Sequence, residues 1–94
     1  MKKDRKIIFR IHALLRMVER GISKNDAIQV IKYGESIKEY PDDTPYPRKL
    51  KFLMVNGRPL HVVFAEKIEE NELIIITVYE PDSKIWIDYR RKKQ

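Results

Sequence analysis

The stretch Leu50-Lys51-Phe52-Leu53-Met54-Val55-Asn56-Gly57-Arg58-Pro59-Leu60-His61-Val62-Val63-Phe64-Ala65 decides the fold. Two apolar runs flank Asn56-Gly57, the dipeptide that best accepts the left-handed backbone of a two-residue hairpin turn. A two-residue loop pairs Val55 with Arg58 and Phe52 with His61. Antiparallel pairing is therefore the starting point, and the chain on either side extends it.

Downstream, the acidic run Glu69-Glu70-Asn71-Glu72 reads as a turn. Leu73 to Tyr79 is rich in β-branched residues and reads as a central strand. Alternation puts Ile74, Ile76 and Val78 on one side, expected to be core, and Ile75, Thr77 and Tyr79 on the other. Pro81-Asp82-Ser83 turns the chain, and Lys84 to Tyr89 alternates as a last strand. Upstream, Pro41, Pro45 and Pro47 stiffen a loop that excludes helix and central strand. The alternating stretch Glu35 to Tyr40 before it reads as a short edge strand.

The first third of the chain carries helical spacing. Ile7, Ile11, Leu14 and Val18, widened by Ile8 and Leu15, predict a first helix with that stripe toward the core. Gly21 stops it. Ser23 with Asp26 reads as a capping box opening a second helix, with Ala27, Ile28, Val30 and Ile31 on its apolar side and Gly34 at its end. The fold class is therefore α+β: two N-terminal helices packed on one face of a four- to five-stranded antiparallel sheet. Ninety-four residues make one domain, 1–94, with short basic ends at 1–6 and 90–94.

The charge of +6 divides unevenly. Residues 2–6 carry +3 and residues 90–93 carry +4, whereas residues 7–89 sum to −1. The basic excess lies in the two ends, which read either as solvated tails or as flanks of a phosphate-binding cleft. There is no cysteine, which removes disulfides, thiolate nucleophiles and thiolate zinc sites and fits a cytoplasmic protein. The apolar runs are far shorter than the ~20 residues that span a bilayer, so neither a membrane segment nor a signal peptide is expected. Two histidines cannot build a three-histidine metal site, and no metal or cofactor is expected.

On the first helix His12, Arg16 and Arg20 are four apart and stack in one row, roughly 110° from the apolar stripe. On the strands, His61 shares a face with Val63 and Ala65, and Thr77 lies two residues from Tyr79. Histidine suits proton transfer near neutrality, and arginine grips phosphate with a planar fork of donors. Thr and Tyr hydroxyls orient a phosphate, and Tyr46 or Trp86 suits base stacking. Those are the parts that metal-free RNA cleavage needs. Each also has a plain reading: a helical histidine beside a core, arginines paired with surface acids, strand residues chosen for β propensity.

Taken in order, His12-Ala13, Arg16-Met17, Glu19-Arg20-Gly21-Ile22, Gly34-Glu35, Tyr40-Pro41-Asp42-Asp43, Pro45-Tyr46-Pro47, Arg58-Pro59-Leu60-His61-Val62-Val63 and Thr77-Val78-Tyr79-Glu80-Pro81 resemble the domain-of-unknown-function family 4258. That family is similar to the BECR group of folds, which includes barnase, colicin RNase and RelE-type domains. The resemblance implies a toxin-type ribonuclease, often encoded with an antitoxin, with two helices on a four-stranded antiparallel sheet.

The leading expectation is a metal-independent endoribonuclease that cleaves RNA by 2′-hydroxyl attack. His12, Arg20, His61, Thr77 and Tyr79 are its candidate catalytic residues, and Arg16, Arg58, Arg90 and Arg91 its candidate phosphate contacts. RNA, an antitoxin-type protein and a second copy of the chain are the expected partners. The rival expectations are a non-catalytic RNA-binding module and a protein-interaction module that pairs through the edge strand 35–40.

Overall fold

The computed structural model of the chain describes residues 5–93; the N-terminal Met1-Lys2-Lys3-Asp4 of the basic end and Gln94 lie outside the described residues. The elements are β1 (Lys6–Phe9), α1 (Ile11–Arg20), α2 (Lys24–Tyr33), β2 (Glu35–Tyr40), β3 (Arg48–Val55), β4 (Arg58–Lys67), β5 (Glu72–Tyr79), β6 (Trp86–Ile87) and β7 (Arg91–Lys92). A single 3-10 turn, Ile68–Glu70, links β4 to β5. The architecture is α+β, with a five-stranded, mostly antiparallel sheet in the order β1-β5-β4-β3-β2. A separate two-stranded hairpin joins β6 and β7.

The β3–β4 hairpin has the register expected from Asn56-Gly57: Val55 opposes Arg58 and Phe52 opposes His61. Both turn residues take positive φ, 52° at Asn56 and 80° at Gly57, as a mirror-image turn requires. β2 is an edge strand over the expected residues, Glu35–Tyr40. Its register slips between Ser36 and Lys38, and it carries Glu35, Lys38 and Glu39, a combination that discourages another strand from pairing there.

Several expectations are corrected. Ile7 and Ile8 belong to β1 and not to the first helix; β1 runs parallel to β5, so the sheet is not wholly antiparallel. Once the helix starts at Ile11, Ile11, Leu15 and Val18 point roughly 150° away from Ala13 and Met17, at ~100° per residue. Ala13 and Met17 are the buried pair, while Ile11 is 73% and Val18 79% exposed. The stripe lost its core role because two of its positions, Ile7 and Ile8, are strand, and Ile7 packs on the core from the sheet together with its neighbour Phe9.

In β5 the pairing with β4 shifts between Val63 and Phe64, which leaves Ile76 as an extra residue. Alternation therefore changes phase within the strand. Leu73, Ile75 and Val78 are buried in the core, not Ile74 and Ile76. The expected last strand 84–89 shrinks to Trp86–Ile87, because Asp82 draws the amides of Lys84, Ile85 and Trp86 into a turn.

Helix ends follow local chemistry. The capping box is complete: Asp26 N–H donates to Ser23 Oγ at 3.0 Å and Ser23 N–H donates to Asp26 Oδ2 at 3.2 Å. Gly21 closes α1 at φ 65°, the left-handed conformation expected of it. Gly34 differs: its φ is −76° and its backbone is extended. A Cβ there would strike the carbonyl oxygens of Val30 and Phe52, so the residue is glycine because two backbones meet at it.

α1 contacts β5, and α2 contacts β3 and β4. Ala13 and Met17 of α1 and Ala27, Val30 and Ile31 of α2 form one cluster with Val55, Leu60, Val62, Phe64, Leu73, Ile75 and Val78 of the sheet. We call this the helix side. The alternate strand residues, Leu50, Phe52, His61, Val63, Ala65, Thr77 and Tyr79, face the other way. No helix among the described residues is long and apolar enough to cross a membrane.

Candidate functional site

The face opposite the helices is covered by the β6–β7 hairpin. Trp86 is buried against the His61 ring, edge to face with centroids 4.5 Å apart. Tyr89 stacks on Phe52 at 5.6 Å. Asp88 and Tyr89 take positive φ, 51° and 63°, at the hairpin turn. A side chain resists that conformation, so the turn needs ties to the rest of the fold. Arg90 supplies one, donating to Glu35 Oε1 at 2.7 Å while its guanidinium lies 4.9 Å above the Phe52 ring. The basic stretch 90–93 is thus docked on the sheet and is not a loose tail.

His61 supplies the other tie. It is fully buried, and its Nε2 donates to the Tyr89 carbonyl at 2.5 Å. A carbonyl only accepts, so Nε2 carries the hydrogen and Nδ1 of the neutral ring is an acceptor. Tyr79 O–H accordingly donates to Nδ1 at 3.2 Å. Burial lowers the His61 pKa below its ordinary value, and the bond to Tyr89 offsets part of that. Burial raises the Tyr79 pKa, with a smaller push from Tyr40. The resting state is a neutral imidazole receiving the hydrogen of a neutral phenol.

Beside this pair the uncovered part of the sheet forms a groove of about 320 Å³. Thr77 and Tyr79 line it together with Tyr40, Arg48, Trp86 and Lys92. Arg48 donates its Nε to Asp43 at 2.7 Å, and its terminal nitrogens make no hydrogen bond among the described residues. Its guanidinium also lies 5.9 Å from the Tyr40 ring. Lys92 sits 5.8 Å above Trp86. The groove thus presents two cations, two phenols and a threonine hydroxyl, the groups that bind and orient a phosphodiester.

Of the residues singled out in the sequence, Thr77 and Tyr79 come together in this groove, with His61 directly behind Tyr79. The others do not join them. His12 is exposed on α1, across the sheet, because α1 packs on the helix side of β5. Arg16 is exposed beside it and pairs with Glu19 at 3.3 Å. Arg20 donates to the Val78 carbonyl at 2.7 Å. Arg58 donates to the carbonyls of Arg20 and Gly21 and pairs with Glu80 at 2.9 Å, closing the C-terminus of α1. Its donors are taken by the protein and not held for phosphate.

Arg90 is held by Glu35 and Phe52, and Arg91 is exposed at the hairpin turn, outside the groove. Trp86 is buried under Lys92 and against His61, so no face is left for a base, while Tyr46 lies beside Lys67 in a different hollow. Tyr40 is the exposed aromatic ring that lines the groove, with the Arg48 guanidinium beside it.

The sequence offers Lys92 only as part of the basic end 90–93, and it does not single out Arg48 or Tyr40 as site residues. The signal for Arg48 was present, since it shares strand parity with Leu50 and Phe52 and therefore faces the side of His61. Charge alone does not separate Lys92 from Arg90, Arg91 and Lys93, because the hairpin that carries it is placed by tertiary contacts. Among the described residues no group of three or more His, Asp or Glu is placed to hold a metal ion.

No curated protein and no solved structure matches the chain. Residues 9–80 match the family described as Domain of unknown function (DUF4258), a span from the end of β1 to just past Tyr79 that includes Tyr40, Arg48, His61 and Thr77. The chain belongs to that family.

Proposed function

We propose that the chain is a metal-independent endoribonuclease of toxin type that uses the groove at Thr77 and Tyr79. The observation that carries this reading is Tyr79 lining a groove that Arg48 and Lys92 also line, with His61 bonded behind it. The similarity of the DUF4258 family to the BECR group, with its RelE-like domains, supports this reading, and an antitoxin-type partner follows from the same similarity.

The buried His61 reaches substrate only through Tyr79. The ribose 2′-hydroxyl gives its proton to the Tyr79 oxygen as Tyr79 passes its own to His61 Nδ1. The 2′-oxygen attacks phosphorus while the P–O5′ bond breaks. Arg48 and Lys92 stabilise the charge on the phosphorane oxygens, and the Lys92 ammonium protonates the leaving 5′-oxygen. The products are a 2′,3′-cyclic phosphate and a 5′-hydroxyl. The imidazolium that forms is held by its Nε2 bond to Tyr89, the contact that favours the charged ring.

The test is cleavage of single-stranded RNA by the purified chain in excess EDTA, read by cyclic-phosphate ends. Tyr79→Phe is expected to lower kcat by about 100-fold or more, the range of lost acid–base catalysis. Arg48→Met is expected to raise KM as well. Full activity in Tyr79→Phe would remove the relay. One observation favours a second reading, a non-catalytic RNA-binding module: neither imidazole lines the groove. That reading expects RNA to bind, weaken with salt and stay intact. Neither binding nor cleavage would defeat both.

A further inference from the structure

A second concavity lies on the helix side, between α2 and the sheet. At about 610 Å³ it is nearly twice the volume of the groove at Tyr79. Its floor is apolar: Ile28 and Ile31 of α2, Ile7 of β1, and Phe64 and Leu73 of the sheet. Its rim is cationic, with Arg5, Lys32, Lys49 and Lys51 against one carboxylate, Glu66.

Glu66 does not neutralise this rim. Its Oε2 accepts from Arg5 at 2.8 Å and its Oε1 lies 3.3 Å from Lys49, so both oxygens are engaged. Burial by itself would raise the Glu66 pKa, yet those two cations outweigh it and the group titrates below its ordinary value. Lys51 and Lys32 make no ion pair among the described residues. Lys51 donates to the Ile31 carbonyl at 2.8 Å, and burial, then Lys49, lower its pKa, with Glu66 offsetting only part of that. A partly desolvated ammonium above an apolar floor, with cations beside it, is a place where an anion relieves repulsion. An anion with no apolar body would leave the floor wet; an apolar body with no charge would leave the lysines unpaired.

We propose that this concavity binds a small amphipathic anion, a carboxylate or phosphate head on Lys51, Lys49 and Lys32 with an aliphatic body over Ile28, Ile31 and Phe64. The volume falls in the range of ordinary small-ligand sites, roughly 300–1,000 Å³. The site is separate from the groove at Tyr79, on the other side of the sheet, so ligand binding here and RNA cleavage there succeed or fail independently.

The probe is decanoate, below its micelle concentration, titrated into the full chain and followed by isoleucine methyl resonances. Saturable shifts are expected at Ile7, Ile28 and Ile31. Decyltrimethylammonium, with the same tail and the opposite charge, is expected to bind at least about tenfold more weakly, the worth of a charge-assisted contact. Lys51→Met is expected to weaken decanoate by about tenfold, and Lys51→Arg to restore it. Should Lys51→Met fail to fold, the exposed Lys32→Glu, which sets a carboxylate at the rim, is expected to weaken decanoate likewise. Equal affinity for the two detergent ions, or shifts centred on the exposed Ile11, Leu15 and Val18, would overturn the proposal.

Discussion

The two sides of the same three strands are built from different chemistry. On the helix side β3, β4 and β5 contribute Val55, Leu60, Val62, Phe64, Leu73, Ile75 and Val78, which pack with α1 and α2 into a dry cluster. On the opposite side the same strands present Phe52, His61, Thr77 and Tyr79, covered only by two strands of two residues each. A side covered by whole helices is held chiefly by apolar burial, even with the cation-rimmed concavity left open beside α2. A side covered by a short hairpin with two left-handed non-glycine residues needs polar ties, and the His61–Tyr89 and Arg90–Glu35 contacts are those ties. The cover is also incomplete, and the gap is the groove. The difference teaches that here the polar groups of the candidate site come from the weaker packing layer.

The contrast can be broken first on the helix side. Phe64→Ala is expected to cost about 3–5 kcal/mol in urea unfolding, as for other fully buried aromatics. A loss below about 1 kcal/mol would mean the cluster is not the main source of stability.

On the other side, His61→Leu leaves the Tyr79 hydroxyl and the Tyr89 carbonyl without their partner, at about 1–3 kcal/mol for each group that stays dry. It should also remove a pH dependence. His61 titrates below its ordinary value of 6.5 when folded, so the unfolded chain takes up the proton first as pH falls. The stability it carries is complete above that value and is lost as pH drops through it toward the folded pKa. Glu66, also depressed, acts lower: its contribution is present above its ordinary 4.5 and lost as pH falls through its folded value. Unfolding measured from pH 7 to pH 5 therefore reports chiefly on His61, and His61→Leu is expected to flatten the slope. An unchanged slope would place the titrating group elsewhere.

The close approach at Gly34 offers a smaller effect. Gly34→Ala forces a methyl into the Val30 and Phe52 carbonyls where α2 meets β3, and about 1–3 kcal/mol of overpacking is expected in thermal unfolding. The smallest effect belongs to the outward stripe of α1. Val18→Lys should change stability by no more than about 0.5 kcal/mol, because the side chain touches little. A large loss would return that stripe to the core.

Much of the sheet was legible in the sequence. Asn56-Gly57 set the register that puts Phe52 beside His61, and three prolines bounded the edge strand. Two features were not legible. Whether Ile7 is helix or strand depends on its pairing with Leu73, a contact 66 positions away that no local period records. The extra residue at Ile76 reverses alternation inside β5, so a period of two read straight through assigns Ile74 and Ile75 to the wrong sides. Thr77 and Tyr79 were nonetheless placed on the same side as each other, because the phase changes before them. Grouping His12 with them rests on residue type and on the family resemblance, and topology separates it, since the helix that carries it lies on the far side of the sheet.

The central claim is that the working face is the hairpin side. Its most direct test is to add an uncleavable 2′-O-methyl RNA oligonucleotide to the isotopically labelled chain and map the amide and side-chain shifts. The expected result is saturable shifts at Tyr40, Arg48, Thr77, Tyr79, Trp86 and Lys92, with the indole resonance of Trp86 among the most affected. Shifts confined to His12, Arg16 and their neighbours on α1 would contradict the account.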